Sequence, residues 1–314
     1  MILCCGDCLI DMLPTTDTAG RDAYVPTVGG AALNTAIALG RLGTPVGMFT
    51  GLSHDPFGQM LHDHATGEGV DMRHAARRPL PTTLAFAHLI DGRAVYSFHD
   101  ENTAGRMIAQ SDIPSAPARA YLFGGISLAY DPCGAVFEAF QEQVSATAVT
   151  MLDVNIRPSL FSSGLVTDEA AYRARLDRMI ARADIVKLSE DDLAWLSGPA
   201  DVAAEAQRIL DMGPKLVLLT MDSRGARGFS ACGGRVAVAA LKIAQVVDTI
   251  GAGDTFNAGA LAYLFDAGLL SKEGLATLSA EDLHAAMLQA SRTAGYCVSH
   301  AGANGPTREQ LCAL

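Results

Sequence analysis

The chain is poor in aromatic residues, 6% with a single Trp, so its core has to be built mainly from Ala, Leu, Val and Ile within a hydrophobic fraction of 49%. Basic residues are also scarce. The 23 Lys and Arg stand against 34 Asp and Glu and leave a formal charge of −11. That balance argues against nucleic acid or an anionic membrane surface as the main partner, yet leaves room for a nucleotide in one locally positive pocket. No apolar run approaches the length of a membrane span, and no basic start precedes Met1-Ile2-Leu3 as in a secretory leader. The 7 Cys are scattered, and the Cys5 to Cys8 pair has no second C-x-x-C to join it. Buried thiols in a reducing compartment therefore outweigh zinc or redox chemistry. No GxxxxGK[ST] stretch and no protein-kinase motif set occurs, which sets both of those classes aside. The expectation is a cytoplasmic protein that meets small molecules.

The richest stretch is Asp248-Thr249-Ile250-Gly251-Ala252-Gly253-Asp254-Thr255-Phe256-Asn257-Ala258-Gly259. Val246-Val247 reads as a β-like run feeding a Gly-Ala-Gly turn, and an apolar helix follows to Ala267. Small residues at 251–253 leave N–H groups bare at the helix start, a ready anion site, and Asp254 sets a carboxylate beside it. Amides that hold charge while a carboxylate takes a proton can move a phosphoryl group onto a hydroxyl. The alternative is an Asp that merely caps a buried helix. At a helix start its carboxyl is expected to be acidic. The whole string resembles the C-terminal signature of the ribokinase family (PfkB-type carbohydrate kinases). The resemblance implies that Asp254 is the catalytic base and that Gly251, Ala252 and Gly253 form the anion hole.

The chain opens with a buried strand over 2–5 and a second extended piece over 8–13 that carries Asp11. That Asp is either an edge-strand charge facing water or an acceptor for sugar hydroxyls, and the family carries a substrate-binding Asp at this place. Gly29-Gly30 opens a helix to about Leu42. The pair suits close approach of a ligand, or ordinary packing, and Asn34 one turn in offers donor and acceptor. The string resembles the family's GGxxxN signature, which implies Gly30 and Asn34 at the sugar. A buried strand over 45–51 and a helix over 57–67 follow, with His62 and His64 solvated. Residues 82–89 and 93–98 around Asp91-Gly92 read as a β-hairpin. The resemblance makes it, with the segment 9–26, a lid, with Phe98 on the substrate or in the core. Strands at 119–123, 149–154, 184–188 and 215–220 then alternate with helices at 132–146, 168–182, 190–197 and 201–211. That rhythm means βαβ units and a parallel sheet covered on both faces. Residues 227–240 read as an antiparallel hairpin turning at Gly233-Gly234, and 254–267 and 281–299 as helices. The fold class expected is a three-layer α/β/α, ribokinase-like, with a mostly parallel central sheet and a small β-sheet lid. It forms one unit over 1–314 with the lid inserted from about 9–26 and 82–102.

Asp153, Asn155 and Arg157 alternate, so they share one face if the strand continues. Arg157 at a strand end either neutralises charge during transfer or pairs with Asp153. The DxNxR string resembles the branch that includes fructokinases and 2-keto-3-deoxygluconate kinases. Glu190 and Asp191 suit a helix start by charge alone. Where the family usually has Asn-x-x-Glu at a Mg²⁺ site, this chain has Ser189 and Asp192, so the resemblance places Asp192 on the metal's water shell and Lys187 near nucleotide phosphate. Thr220 to Ala226 resembles the nucleotide loop through Thr220 and Gly225, with Asp222 where Gly is usual and expected to point away. Asn304 resembles a position beside adenine, and Asp248 one that helps bind a monovalent cation, K⁺. The resemblance thus implies an ATP- and Mg²⁺-dependent kinase acting on a primary hydroxyl. Tyr96 to Ala104 looks most like fructokinase lids, so fructose is the first expectation. Second is 2-keto-3-deoxygluconate, with Arg93 or Arg106 meeting its carboxylate, and third is ribose or a nucleoside. The departures at Ser189, Asp192 and Asp222 keep open a catalytically weak sugar- or nucleotide-binding sensor. Lid-to-lid dimers are implied by the family alone.

Overall fold

Alternation along the first strand sets up the layers. In β1 (Ile2–Gly6), Ile2 and Cys4 face one hydrophobic cluster, and Leu3 and Cys5 face another. A strand with both faces buried belongs inside a parallel sheet with helices on either side. The computed structural model describes residues 1–90, 93–162, 164, 166–198 and 201–314. From β1 the chain makes β2 (Leu9–Thr16), β3 (Asp22–Gly29), α1 (Ala31–Arg41), β4 (Val46–Phe49), β5 (Gly51–Ser53), α2 (Pro56–Gly67), β6 (Val70–Asp71), β7 (Ala76–Arg78), β8 (Leu84–Ile90) and β9 (Arg93–His99). There follow β10 (Ala120–Gly124), α3 (Cys133–Val144), β11 (Val149–Asp153), α4 (Ser159–Ser162), α5 (Glu169–Arg182), β12 (Ile185–Ser189), α6 (Glu190–Ser197), α7 (Val202–Asp211), β13 (Leu216–Thr220), β14 (Ala226–Ser230) and β15 (Arg235–Val238). The last elements are α8 (Ala252–Asp266), α9 (Lys272–Ala276), α10 (Ala280–Val298) and α11 (Arg308–Cys312).

Among the described residues the large sheet has nine strands in the order β15-β14-β13-β12-β11-β10-β1-β4-β6. It is parallel from β13 to β6, with β14 and β15 antiparallel at one edge. One face buries Leu33 and Leu39 of α1, Leu261 and Leu264 of α8 and Met287 of α10. The other buries Phe137 and Phe140 of α3, Met179 of α5 and Ile209 of α7. There Phe140 meets Phe49, Tyr121 and Phe123 edge-on at 5.5, 5.2 and 5.9 Å, geometry that aromatic rings favour. The cysteines of β1 are wholly buried and burial pushes both thiols up, as expected of apolar packing residues.

The chain leaves β1 for β4 on one side and returns later to β10 on the other. That reversal between β1 and β10 is a topological switch point, where α/β sheets open a crevice beyond the strand ends. Over the crevice stands a second sheet, β3-β2-β8-β9. Asp55, the cap of α2, ties its base down by accepting from the Thr82 amide at 2.8 Å and the Thr82 hydroxyl at 2.6 Å.

Several boundaries differ from the sequence expectation. Val246-Val247 is no strand. These residues are 57% and 55% exposed in an irregular segment. The piece expected over 8–13 runs to Thr16, because it pairs along its whole length with a strand not foreseen, β3. The strand after Val149 stops at Asp153, since Asn155 takes a left-handed φ of 43°, so the one-face alternation of 153, 155 and 157 does not hold. Helix α8 begins at Ala252, two residues before Asp254. The Asp91-Gly92 turn and the side chain of Arg93 lie outside the described residues.

Candidate active site

Two helices aim their N-termini into the crevice. The first, α1, is already occupied by the chain itself. Asp7, just past β1, accepts from the amides of Ala31 and Ala32 at 3.2 Å each, and its carbonyl takes the Leu33 amide. Burial pushes the Asp7 carboxyl up and these amides pull it back. Gly30 lies so close that a Cβ there would stand 2.7 Å from the Asp7 carbonyl oxygen. Asp7 was not among the residues singled out from the sequence. The signal available was an acidic residue after the central strand with Gly-Gly ahead of a helix.

The second helix, α8, is left open. Its N-cap, Gly251, sits at φ 76° and offers no side chain. A Cβ there would overlap Ala303, which packs the 302–304 segment against the turn. The Ala252 amide meets the Thr249 carbonyl at 3.3 Å, while among the described residues no acceptor meets the amides of Gly253 and Asp254. Of the three amides expected at the anion hole, Gly251, Ala252 and Gly253, that of Ala252 is engaged within the turn.

Asp254 is the third residue of α8 rather than a cap, and is only 8% exposed. Its Oδ2 accepts from Asn34 Nδ2 at 2.9 Å, and Thr35 Oγ1 donates to its carbonyl at 3.2 Å. Burial pushes the Asp254 carboxyl up to about 7. Asp153 adds to the rise, and the Asn34 bond, Lys187 and Arg157 oppose it. The acidic carboxyl expected at a helix start is corrected, because desolvation outweighs the dipole.

Asp11 is brought to the same crevice. It lies in the interior of its sheet between β3 and β8, so it is no edge-strand charge, and a side chain on Gly29 would collide with its carboxylate. Burial, aided by Asp7, raises it to about 7 against the pull of Arg157. Register places Ala85 opposite Asp11 and Phe98 opposite Ala85, so Asp11 and Phe98 share one face of the small sheet. Tyr96, two residues from Phe98, stacks on it at 6.2 Å. Its hydroxyl is pushed up to about 12 by burial and by the carboxylates of Asp11 and Asp248. Tyr96 was missed as a site residue, though a period of two from Phe98 would have found it.

Arg157 acts electrostatically on Asp7, Asp11 and Asp254. Its pairing with Asp153 is not made. Asp153 instead binds Lys187, and Arg157 Nη1 donates to the Ile156 carbonyl at 3.2 Å. Asp192 holds this turn. Its carboxylate accepts from the Ile156 amide at 2.7 Å and from the amide and hydroxyl of Ser189 at 2.8 Å each, in a reciprocal cap of α6. Lys187 is buried beneath Gly253 rather than open to the crevice. Burial would lower its pKa, but Asp153, Asp192 and Asp254 together hold it above the ordinary lysine value.

On the far side of α8, Thr220 ends β13, and Gly225 leaves room for the backbone at Val238–Ala240. Asp222 is exposed at φ 48°, with Arg224 beyond it paired to Glu190. Asp248 accepts from the amides of Ile250 at 3.0 Å and Gly302 at 2.9 Å, and half-buried Asn304 follows that turn. Among the described residues no group of three or more His, Cys, Asp or Glu could hold a metal by itself, and no helix is long and apolar enough to cross a membrane.

Comparison with known proteins agrees with this geometry. The sequence pattern described as pfkB family carbohydrate kinase matches residues 1–310. A fructokinase of Rhizobium leguminosarum bv. trifolii is 45% identical over 285 residues, covering 90% of this chain and 85% of the relative. The crystal structure of a fructokinase with bound ATP from Xylella fastidiosa superposes with a TM-score of 0.88 at 26% identity, covering 99% and 97% of the two chains. A fructokinase from Vibrio cholerae O395 in fructose-, ADP- and calcium-bound form gives 0.83 at 25% identity, covering 99% and 97%.

Proposed function

Because the chain belongs to the pfkB family of carbohydrate kinases, it is a phosphotransferase with an alcohol group as acceptor, and we propose that it transfers the γ-phosphate of ATP to a primary hydroxyl of fructose. The observation that carries this reading is Asp254 itself. A carboxyl near pH 7 stands on the same turn as two bare amides and is aimed by Asn34. A base titrating near the working pH is the effective kind.

In the transfer the hydroxyl oxygen forms a bond to the γ-phosphorus as the bond from that phosphorus to the bridging oxygen breaks. The hydroxyl proton passes to Asp254, and ADP leaves with the bridging oxygen. The amides of Gly253 and Asp254 and the guanidinium of Arg157 hold the charge on the moving phosphate. Asp11, Gly30 and Asn34 receive the sugar, with Phe98 and Tyr96 closing on it as a lid. Thr220, Gly225 and Asn304 line the nucleotide side. A divalent cation, Mg²⁺, supplies neutralisation of phosphate charge when bound. Carboxylate oxygen is the right donor for it, but Asp192 already accepts three hydrogen bonds and would reach the ion through water. Asp248 with the turn carbonyls near Gly302 suits K⁺.

Fructose is favoured over 2-keto-3-deoxygluconate by the state of Arg106. It pairs with Asp100 at 3.5 Å, lies 4.5 Å over the Tyr130 ring and donates to the Asp131 carbonyl at 3.1 Å, so it is committed before any sugar carboxylate arrives. Exposed Tyr24 and Val25 on the outer strand of the lid suit pairing with a second copy, and seven free thiols suit the cytoplasm. The test is ADP release measured across fructose, 2-keto-3-deoxygluconate and ribose. Turnover of fructose at a kcat/KM at least tenfold above the other two is expected. A preference for 2-keto-3-deoxygluconate would replace the assignment.

A further inference from the structure

Beneath the open end of α8 lies a charged group that the transfer step does not use. Asp153 ends β11, Lys187 stands beside it in register on β12, and Asn257 comes down from α8. They are 2%, 4% and 1% exposed. Lys187 Nζ is 3.2 and 3.3 Å from the two Asp153 oxygens, and Asn257 Nδ2 donates to Asp153 Oδ2 at 2.6 Å. A buried pair of this kind is weak as a source of stability, since desolvation consumes most of the attraction. Asn257 also leaves its Oδ1 buried with no partner among the described residues, a loss that a purely structural residue would avoid. The ammonium has three protons, and Asp153 is its one hydrogen-bonding partner among the described residues. A Cβ on Gly253 would stand 3.0 Å from Nζ, so the charge lies directly against the bare turn.

We propose that Asp153, Lys187 and Asn257 form a buried brace in which Lys187 lends fixed positive charge to the phosphate-binding turn through Gly253, and Asp153 and Asn257 position it there. Its catalytic consequence rests on the kinase reading, whereas its electrostatic consequence does not. The groups facing Asp254 are Asn34 from α1, Asp153 from β11, Lys187 from β12, Arg157 from the turn after β11 and Cys297 from α10. Within that set the brace has two arms of opposite sign: Lys187 favours the ionised carboxylate and Asp153 disfavours it.

The experiment compares Lys187→Met, Asp153→Asn and the double variant, in which neither charge is left buried alone. The Asp254 carboxyl is titrated by carbon-13 NMR, assigned with Asp254→Asn, and ATP-dependent turnover of fructose is measured beside it. Lys187→Met should move the Asp254 titration up by about one pH unit or more, Asp153→Asn should move it down by about as much, and the double variant should fall between. Without the lysine charge, singly or in the double variant, kcat should drop about 100-fold while the KM for fructose stays within about threefold. Titrations that move together or not at all, or a double variant with the kcat of the unaltered enzyme, overturn the brace. Absence of turnover with every sugar in the unaltered enzyme overturns the kinase reading instead, and the titration then decides the brace alone.

Discussion

The N-termini of α1 and α8 enter the same crevice after glycine-rich turns, yet they meet opposite fates. At α1 the first three amides are taken by Asp7, two by its carboxylate and one by its carbonyl. At α8 the N-cap has no side chain and the amides of Gly253 and Asp254 are bare. Both ends carry the partial positive charge of a helix start. What differs is whether the chain brings its own anion. One end is a structural joint that fastens α1 to the tip of β1, and the other is where the proposed function seats the phosphate. Under the proposed function, unpaired amides beside a buried carboxylate, rather than the helix end alone, mark the reactive one.

The contrast is broken most severely at the base. Asp254→Asn removes the proton acceptor but keeps an oxygen for the Asn34 amide, so kcat should fall about 10³- to 10⁴-fold with sugar binding retained, as read by steady-state kinetics and fructose calorimetry. In the unaltered enzyme kcat should climb with pH through about 7, because the ionised Asp254 is the active form. Installing an anion at the vacant end is the next largest perturbation. Gly251→Asp would give α8 what α1 has, and would press on Ala303 as well. kcat/KM for ATP should drop at least about 100-fold.

Emptying the occupied end should act on stability. Asp7→Ala leaves buried amides unpaired at about 1–3 kcal/mol, visible as a lower urea midpoint with unchanged slope. Asp11 and Asp254, the carboxyls raised to about 7, add a pH signature. Their folded values near 7 stand above the ordinary 3.8, so the folded state keeps protons that the unfolded chain releases. That contribution is full below about pH 4 and is lost as pH rises through 7. The urea midpoint should therefore fall over that interval, and fall less in Asp254→Asn. The gentlest change is Tyr96→Phe, which keeps the stack on Phe98 and removes one hydroxyl. The KM for fructose should rise about fivefold, near 1 kcal/mol.

The layered fold was legible because its signals are local and repeated: two-sided apolar strands at β1, β10 and β11, separated by amphipathic helices. The Gly251–Asp254 turn was legible because small residues and Asp254 are contiguous. What escaped the sequence analysis lies between segments. Nothing in the string around residue 7 says that its carboxylate will cross 24 residues to the start of α1. Likewise nothing near Asp153 says that Lys187, not Arg157, will neutralise it, since that choice is made by strand register. The pKa of Asp254 was misjudged for the same reason. The helix start is visible in the sequence, while the depth of burial belongs to the assembled structure.

The bond from Asn34 to Asp254 joins residues separated by 220 positions. A ribosome making this protein therefore completes every described strand, the last ending at Val238, before Asp254 is added to meet Asn34. Closing so long a span is entropically slow, and until α8 emerges the apolar flank of α1 is without its cover. Premature termination anywhere before residue 254 therefore yields a chain with an uncovered apolar flank, one that chaperones have good reason to hold.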